Sequence, residues 1–142
     1  GNLVDQLYKK VARPNVVNPI FLTEHPISLS PLARANDDNP EITDRFQLVI
    51  NGAEIINAYS ELVDPQEQER RLEVQAALKD NGDEEAMPMD HDYISAMEVG
   101  MPPISGWGMG IDRVVQLLTN SDNIKDVILF PLMRPLNEEK KD

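Results

Sequence analysis

The segment SGWGMGIDRVV, residues 105–115, places three glycines in five positions directly before an acid, an arginine and aliphatic residues. Glycines let a flat ligand lie against a strand, and an arginine in the next helical turn can stack on a ring or meet a phosphate. The segment lacks the Gly-Lys-Ser/Thr of a Walker loop, and Ile111 stands where the dinucleotide fingerprint needs glycine. Two interpretations remain: a purine nucleotide site, or close helix packing with Arg113 paired to a nearby acid.

The charge of the chain is acidic, with a net charge of −12 over 142 residues. Such a surface repels a phosphate backbone, so we do not expect it to be the main contact to a nucleic acid. No Lys or Arg lies between Lys79 and Arg113, whereas eight acids do, so Arg113 is isolated from other cations along the sequence.

Composition also limits the class of protein. Without cysteine, neither disulfides nor thiolate metal sites are possible, which favours a reducing compartment. No apolar run approaches the roughly 18 residues of a membrane helix, and the first ten residues lack a signal-peptide pattern. The sequence therefore predicts one cytoplasmic domain over residues 1–142, with no membrane contact.

Hydrophobic spacing and turn residues predict the strands that would carry the site. The clearest signal is a hairpin of residues 45–50 with 53–62, joined by Asn51-Gly52, the dipeptide favoured in two-residue type I′ turns. Residues 19–23 are predicted to form a buried strand, and the glycine segment 104–110 a further strand. Prolines make 25–40 a loop with one turn of helix.

Capping residues predict the helices. Asp64 and Pro65 start the most distinct one, which ends at the Asn-Gly of residues 81–82. Asp90 and Gly100 bracket a second, and Ile111 to Thr119 form a third. Apolar spacing predicts an amphipathic helix over residues 2–12, and the tail after Pro135 is charged. The order of elements predicts an α+β fold with a mostly antiparallel sheet flanked by helices.

The longest motifs resemble a known family. GWGMGIDRVVQLLTNSDNIKDVILFP is similar to the third signature motif of the class II aminoacyl-tRNA synthetases, and NPEITDRFQLVINGAEIINAYSELVDP closely resembles the lysine-specific members. The resemblance extends from FLTEHPISLSPLAR to LMRP, nearly the whole chain. It implies the carboxy-terminal part of a catalytic core, incomplete because the first two motifs and the anticodon-binding domain are absent.

The resemblance implies roles for the glycine segment. In the family, the arginine at the position of Arg113 stacks on the adenine of ATP and reaches its γ-phosphate, which makes Arg113 the catalytic residue expected here. The glycines at Gly106, Gly108 and Gly110 form the floor under nucleotide and amino acid, with Gly108 also beside the lysine.

The NAYSE segment resembles the lysine pocket of the family, with Asn57, Tyr59 and Glu61 in matching positions. The residue types agree, because these three alternate onto one face of a strand, and a carboxylate beside an aromatic ring suits an ammonium group. Glu61 is the expected specificity residue. The alternative is an exposed glutamate at a sheet edge.

Glu54 matches a family Mg²⁺ ligand in the ATP site, whereas Gln47 stands where the family has a second glutamate. With a two-residue turn, Gln47 faces Ile56 across the hairpin and shares a face with Glu54. An amide oxygen still ligates Mg²⁺, but more weakly, so we expect one fewer well-held ion.

Strict alternation creates a conflict within the predicted strand. It places Glu54 on the face opposite Asn57, Tyr59 and Glu61, although the resemblance requires all four near one substrate. A β-bulge between 54 and 57, or a longer turn, would bring them together. We therefore predict such an irregularity.

The chemistry that the resemblance implies has two steps. ATP and lysine form lysyl-adenylate, and the lysyl group then passes to a tRNA that is bound largely by domains absent from this chain. The parent protein is expected to be a homodimer, and the 142 residues alone to be inactive. His25 and His91 lie outside the matched motifs and are expected to be structural or at the surface.

Three alternatives remain open. A paralogue of the family attaches lysine-like groups to a translation factor on a similar core. An aspartate or asparagine enzyme shares the glycine motif but would need a cation where Glu61 stands. A synthetase-like binding module without catalysis is the third, and Gln47 favours it.

Overall fold

The computed structural model describes residues 2–133, so the charged tail expected after Pro135 lies outside the described residues. Backbone contacts divide the chain into two compact units, Gly1–Met109 and Gly110–Asp142. Among residues 2–133, the first unit contains the sheet and most of the helical residues, and the second contains one helix and one short turn of 3₁₀ helix.

A four-stranded antiparallel sheet forms the centre of the first unit. Its strands follow chain order, so each strand pairs with its neighbours in sequence. Asn51 and Gly52, which join the second and third strands, have φ values of 48° and 70°, as a type I′ turn requires. The predicted hairpin and antiparallel sheet are confirmed. The strands are β1 (Ile20–Leu22), β2 (Arg45–Ile50), β3 (Ala53–Ser60) and β4 (Ser105–Met109).

A β-bulge interrupts β3 at Ile55. Leu48 pairs with Ile56 and the next residue, Val49, pairs with Glu54, so Ile55 is the extra residue of the hairpin. The predicted irregularity is confirmed, and it turns Glu54 to the face that carries Asn57. The expectation that Gln47 faces Ile56 is wrong, because the bulge shifts the register by one residue and Gln47 faces Asn57.

The amino-terminal segment differs from its prediction. Its regular α-helix, α1, covers Asn2–Leu7, followed by wider π-helical turns over Tyr8–Ala12 and a short 3₁₀ turn. The apolar residues that made the segment look amphipathic, such as Leu3, are exposed. β1 is also more exposed than predicted, with Phe21 largely accessible, because an edge strand is covered on fewer sides.

Two capped helices form a small apolar core beside the sheet. In α2 (Pro65–Asp80), the Asp64 side chain accepts from the Gln66 amide at 2.9 Å. In α3 (His91–Glu98), Asp90 accepts from the Tyr93 amide at 2.9 Å. Both predicted helices are confirmed. Their buried contact consists of Leu72, Ile94 and Met97, with Leu32, Met87, Met89, Tyr93 and Met101 packed against it.

The second unit begins with α4 (Ile111–Thr119), as predicted, and Asn120 ends it in the left-handed conformation. A 3₁₀ turn over Ile124–Val127 follows, and the Asn123 side chain accepts from the Lys125 amide at 3.0 Å. Among residues 2–133, no helix combines the length and apolar character needed to cross a bilayer.

Candidate amino-acid and nucleotide site

One face of the sheet gathers most of the polar residues singled out in the sequence. Antiparallel partners share a face, so the pairs Gln47 with Asn57 and Arg45 with Tyr59 project to the same side. The bulge adds Glu54 to this side. We call it the site face. Its polar residues and glycines on β2, β3 and β4 are Arg45, Gln47, Glu54, Asn57, Tyr59, Gly106 and Gly108, and the buried Val49, the partner of Glu54, lies on the same face.

The glycines of β4 lie opposite the polar residues of β3. Gly108 pairs with Asn57 and Gly106 pairs with Tyr59. A Cβ atom added at Gly106 would lie 2.6 Å from the Glu61 Oε1 atom, whereas one at Gly108 would meet nothing within 4 Å. Gly106 therefore makes room for the Glu61 carboxylate, and Gly108 leaves the strand backbone open to a ligand.

Glu61 directly follows β3 and occupies a partly buried position. It is held by its backbone, which bridges to Ala33 and whose amide donates to the Ile104 carbonyl at 3.0 Å. Burial raises the pKa of the Glu61 carboxyl above its usual range. Burial, and next the charge of Glu61, raise the pKa of the Tyr59 hydroxyl and of the Tyr93 hydroxyl. The site thus places one incompletely solvated carboxylate near two phenols, which suits a cationic head group.

Arg45 holds Asn57 in one orientation. The Arg45 Nε atom donates to the Asn57 Oδ1 atom at 3.0 Å, and its Nη1 atom donates to the Leu29 carbonyl and the Ser30 hydroxyl. Because the amide oxygen of Asn57 accepts from Arg45, the NH₂ group of Asn57 points away from Arg45 and can donate to another group. Burial lowers the pKa of Arg45. A cavity of about 160 Å³ opens beside Arg45, Asn57 and Tyr59.

A chain of three side chains ends at Glu54. The Gln47 Nε2 atom donates to the Glu54 Oε2 atom at 2.6 Å, and the Gln47 Oε1 atom lies 3.2 Å from the His25 Nε2 atom. A carboxylate only accepts hydrogen bonds, so the amide must present its NH₂ group to Glu54 and its oxygen to His25. His25 is buried, and burial lowers its pKa.

Helix α2 supports the site from a distance. The buried Arg71 side chain donates to the Ala33 carbonyl at 2.8 Å and to the Glu67 carboxylate, and Gln68 donates to the Pro31 carbonyl at 3.2 Å. Hydrogen bonds from Arg70 and Arg71 hold the pKa of Glu67 down to about 2. Since Ala33 bridges to Glu61, these buried polar residues fix the segment against which Glu61 rests.

The remaining predicted residues, Gly110 and Arg113, belong to the second unit. Gly110 precedes α4 and Arg113 lies in its first turn. A Cβ atom added at Gly110 would lie 3.3 Å from the Arg113 Cδ atom, so the glycine lets the arginine stem fold back over the helix start. The Arg113 side chain is exposed.

The residues of the first unit offer a limited fit to Mg²⁺. Glu54 and Gln47 both carry oxygen donors of the kind that Mg²⁺ prefers, and their side chains are in contact. Within residues 2–133, however, no group of three or more His, Cys, Asp or Glu residues is arranged to hold a metal. A site here would therefore take only part of its ligands from these residues and the rest from water or substrate phosphates.

A family model described as "tRNA synthetases class II (D, K and N)" matches residues 5–134. The chain belongs to this family of class II synthetases. Proteins named lysine–tRNA ligase from Cronobacter sakazakii and Escherichia coli K12 are each 54% identical to it over 136 residues, which are 96% of this chain and 27% of each relative. The one from Aliivibrio fischeri is 53% identical over 135 residues, 95% of this chain and 27% of the relative. The chain thus spans about a quarter of the length of these relatives.

Two residues that contact or face the site, Arg45 and Tyr93, were not singled out in the sequence. Arg45 lies two residues before Gln47 in the same strand, so the alternation that places Gln47 would have found it. Tyr93, in α3, is brought near Glu61 by tertiary packing, and burial and next the charge of Glu61 raise the pKa of its hydroxyl. His25 was expected to be structural or at the surface; it is buried and contacts Gln47, whereas His91 is exposed at the start of α3.

Proposed function

We propose that this chain is part of a lysine–tRNA ligase that activates lysine with ATP. In the first unit, Asn57, Tyr59, Glu61 and Gly108 would contact lysine. Glu54, Gly106 and Gly108 would line the ATP site. In the second unit, Gly110 and Arg113 would contact the nucleotide, with Arg113 as its catalytic cation.

One observation supports this proposal more than any other. The bulge at Ile55 brings Glu54 onto the face of Asn57 and Tyr59, and the facing strand carries glycines there. One surface therefore carries the carboxylate of Glu54, which could ligate a metal, the amide of Asn57 and the phenol of Tyr59. The glycine backbone of β4 completes it, and Glu61 adjoins it. Such a surface can bind an ammonium group and a flat nucleotide side by side.

The proposed reaction needs no covalent intermediate on the protein. An oxygen of the lysine carboxylate attacks the α-phosphorus of ATP, the bond to pyrophosphate breaks, and lysyl-adenylate forms. A hydroxyl of the terminal ribose of tRNA then attacks the carbonyl carbon and AMP leaves. The side chains would act by orienting the substrates and by offsetting their charge. Bound Mg²⁺ would add further neutralisation of the phosphates.

Glu61 would select lysine by pairing with its ammonium group. A charge-assisted hydrogen bond contributes about 1.5–3 kcal/mol, and a buried carboxylate left without a partner costs more. Neutral amino acids of similar size would therefore be refused. Because burial raises the pKa of Glu61, the carboxylate is less stable in the unliganded fold than in water, and a bound cation relieves that cost.

A chimera tests the proposal. This chain replaces the matched 27% of the E. coli relative, and lysine-dependent exchange of pyrophosphate into ATP is measured. We expect exchange with the unmodified chimera and a loss of about 10- to 150-fold in kcat/KM for lysine with Glu61→Gln, the equivalent of about 1.5–3 kcal/mol. Glu73→Gln, on the exposed side of α2, is the matched control. If Glu61→Gln keeps full lysine preference, the pocket assignment is wrong.

The rest of the proposal concerns the whole protein. We propose a cytoplasmic homodimer that contacts tRNA mainly through regions outside this chain, and an isolated chain that is inactive. Lysine-dependent pyrophosphate exchange by the 142 residues alone would contradict the last point.

A synthetase-like binding module without catalysis is the second candidate. The observation that favours it is the hydrogen bond from Gln47 to Glu54, because this pair offers one negative charge where two carboxylates would offer two. The same chimera separates the candidates. A module would bind lysine or ATP in calorimetry but would not support exchange.

A further inference from the structure

One wall of the 160 Å³ cavity on the site face is the segment of residues 29–33, which we call the pocket wall. On one side, the pocket wall pairs with the chain just beyond β3. The Leu62 amide donates to the Leu32 carbonyl at 2.9 Å. Ala33 forms an antiparallel bridge with Glu61. A displacement of the pocket wall therefore acts directly on the backbone of Glu61.

On the other side of the pocket wall, side chains take the place of a neighbouring strand. The carbonyl of every second residue accepts a hydrogen bond from a side chain of β2 or α2. The three pairs are Leu29 with Arg45 at 3.0 Å, Pro31 with Gln68 at 3.2 Å and Ala33 with Arg71 at 2.8 Å. Two of the three donors belong to α2, so this helix holds the pocket wall through its buried side.

The two donors of α2 are costly for the fold. Arg71 is 8% exposed and Gln68 is completely buried, and the Gln68 Oε1 atom has no hydrogen-bond partner among residues 2–133. Apolar side chains of similar size would avoid this desolvation, and such replacements are often neutral or stabilising. The polar groups contribute direction instead, because a hydrogen bond fixes the position of its acceptor and apolar contact does not.

The cavity shows what a fixed wall can select. Four apolar residues line it, and they suit the methylene stem of an amine whose charged end reaches Glu61. These residues are Leu29, Pro31, Leu32 and Met87. Because the pocket wall is bonded both to α2 and to the chain at Glu61, the distance from the cavity to the carboxylate is fixed. A pocket of fixed length favours one length of side chain, and one methylene is worth about 10- to 200-fold in kcat/KM.

We propose that Arg71 and Gln68 are positioning residues that fix the pocket wall and so make the site selective for the length of the amine. Lysine is then preferred to ornithine, which is one methylene shorter. The selectivity rests on the proposed function, the binding of lysine at Glu61. The fixing of the pocket wall by α2 does not depend on it.

The first measurement uses the 142-residue chain and tests whether α2 fixes the pocket wall. Amide hydrogen exchange is followed by NMR at Leu62 and at Arg34, whose amide donates to the Ser60 carbonyl at 2.8 Å. With Arg71→Met, both amides should exchange at least about 10-fold faster, since the bond that holds Ala33 is lost. The amides between β2 and β3 should be unchanged.

Arg70→Met is the matched control. Arg70 donates to the same Glu67 carboxylate as Arg71 but, among the described residues, not to the pocket wall. The exchange rates of Leu62 and Arg34 should stay within about twofold of the parent. The control thus separates the loss of the ion pair from the loss of the bond to the wall.

The second measurement uses the chimera, with pyrophosphate exchange driven by lysine or by ornithine. Arg71→Met should lower the ratio of the two kcat/KM values at least about fivefold and raise the KM for lysine. The kcat for lysine and the KM for ATP should be unchanged. A merely unstable variant would lose activity with both amino acids equally and would keep the ratio, so the ratio distinguishes positioning from stability.

Gln68→Leu keeps the test available if Arg71→Met does not fold. It removes the donor to the Pro31 carbonyl together with the unpartnered buried oxygen, and both readouts should move in the same direction by a smaller factor. The proposal is overturned if a folded variant leaves both exchange rates unchanged, or if the pocket wall loosens while the lysine to ornithine ratio stays within about twofold. An unmodified chimera without lysine-dependent exchange would refute the proposed function and the selectivity, and hydrogen exchange would still decide whether α2 fixes the wall.

Discussion

The two faces of the sheet in the first unit are organised differently. On the site face, Arg45, Gln47 and Glu54 are fixed by hydrogen bonds to named partners. The opposite face, which we call the apolar face, carries side chains in simple contact, such as the edge-to-face rings of Phe21 and Phe46 with centroids 5.5 Å apart. Besides Ala58, its large apolar residues include Phe21, Phe46, Leu48, Ile56, Trp107 and Met109.

The difference shows how one strand can serve two surfaces. Hydrogen bonds depend on direction, so each polar residue of the site face must occupy one particular position in the strand register. The bulge at Ile55 places Glu54 at the position it needs. Apolar contact has no such requirement. Trp107 is 67% exposed and Phe21 is 65% exposed in the described structure, yet their strands keep the same pairing. Register is therefore set by the turn and the site face more than by the apolar face.

The largest expected effect comes from removing the bulge without deleting a residue. Inserting Ala between Leu48 and Val49 gives Ile55 a partner and turns Glu54 onto the apolar face. We expect a loss of about 3 kcal/mol or more in the free energy of unfolding, since a carboxylate meets apolar side chains and the Gln47 bond is broken. Urea unfolding measures it.

Deleting Ile55 is the matched control for this insertion. The deletion also removes the bulge, but strict alternation then keeps Glu54 on the site face. The Gln47 to Glu54 hydrogen bond should persist in NMR spectra, with a smaller loss of stability from the missing buried side chain. If the insertion and the deletion have the same effect on that hydrogen bond, the bulge does not determine to which face of the sheet Glu54 projects.

A smaller effect is expected from Arg45→Met. The substitution removes the donor for the Asn57 oxygen and for the buried Ser30 hydroxyl. Each buried polar group left without a partner costs about 1–3 kcal/mol, so we expect a loss in that range by urea unfolding. Lys79→Met, on the exposed side of α2, should change stability by less than about 0.5 kcal/mol. Equal losses would mean that Arg45 does not organise the site face.

Gly106 and Gly108 provide a matched pair with a local effect. Gly106→Ala places a methyl group 2.6 Å from the Glu61 Oε1 position, and the flexible end of Glu61 must swing toward solvent. The raised pKa of Glu61, which burial causes, should then fall toward its ordinary value in a ¹³C titration. Gly108→Ala, where nothing lies within 4 Å, should leave the pKa of Glu61 unchanged. The same shift in both would argue against this contact.

Glu61→Gln should leave the fold at least as stable as before. Burial raises the pKa of the folded carboxyl, so its ionisation disfavours the fold at neutral pH, and this cost disappears as the pH falls below the ordinary value of 4.5. We expect urea midpoints of the variant to equal or exceed those of the parent at pH 7 and to converge at low pH. A clear destabilisation at pH 7 would show that Glu61 is stabilised by a partner.

The smallest effect is expected on the apolar face. Trp107→Ser removes a side chain that is already mostly exposed, so the free energy of unfolding should change by no more than about 0.5 kcal/mol. A loss several times larger would show that the apolar face is covered in solution, and the contrast between the two faces would need revision.

Much of the fold could be predicted because its signals are local. Asn51-Gly52 sets the hairpin, and Asp64 with Pro65 starts α2, since turns and caps depend on a few adjacent residues. The bulge could also be predicted, from the conflict between strict alternation and a shared site. The prediction that β1 is buried was wrong, because the burial of a strand depends on what covers it and not on its own composition.

The sequence by itself determined the order of the helices and strands and the position of the hairpin turn. It also supplied the acidic residues and glycines of the candidate site. Tertiary structure alone decided that Arg45 orients Asn57, that His25 contacts Gln47, and that Arg71 holds the segment beside Glu61. These three contacts join residues that are 12, 22 and 38 positions apart in the sequence. A hydrogen bond across such separations forms only where folding brings the donor and the acceptor together. The residues adjacent to each group in the sequence do not determine where that group lies in the folded chain.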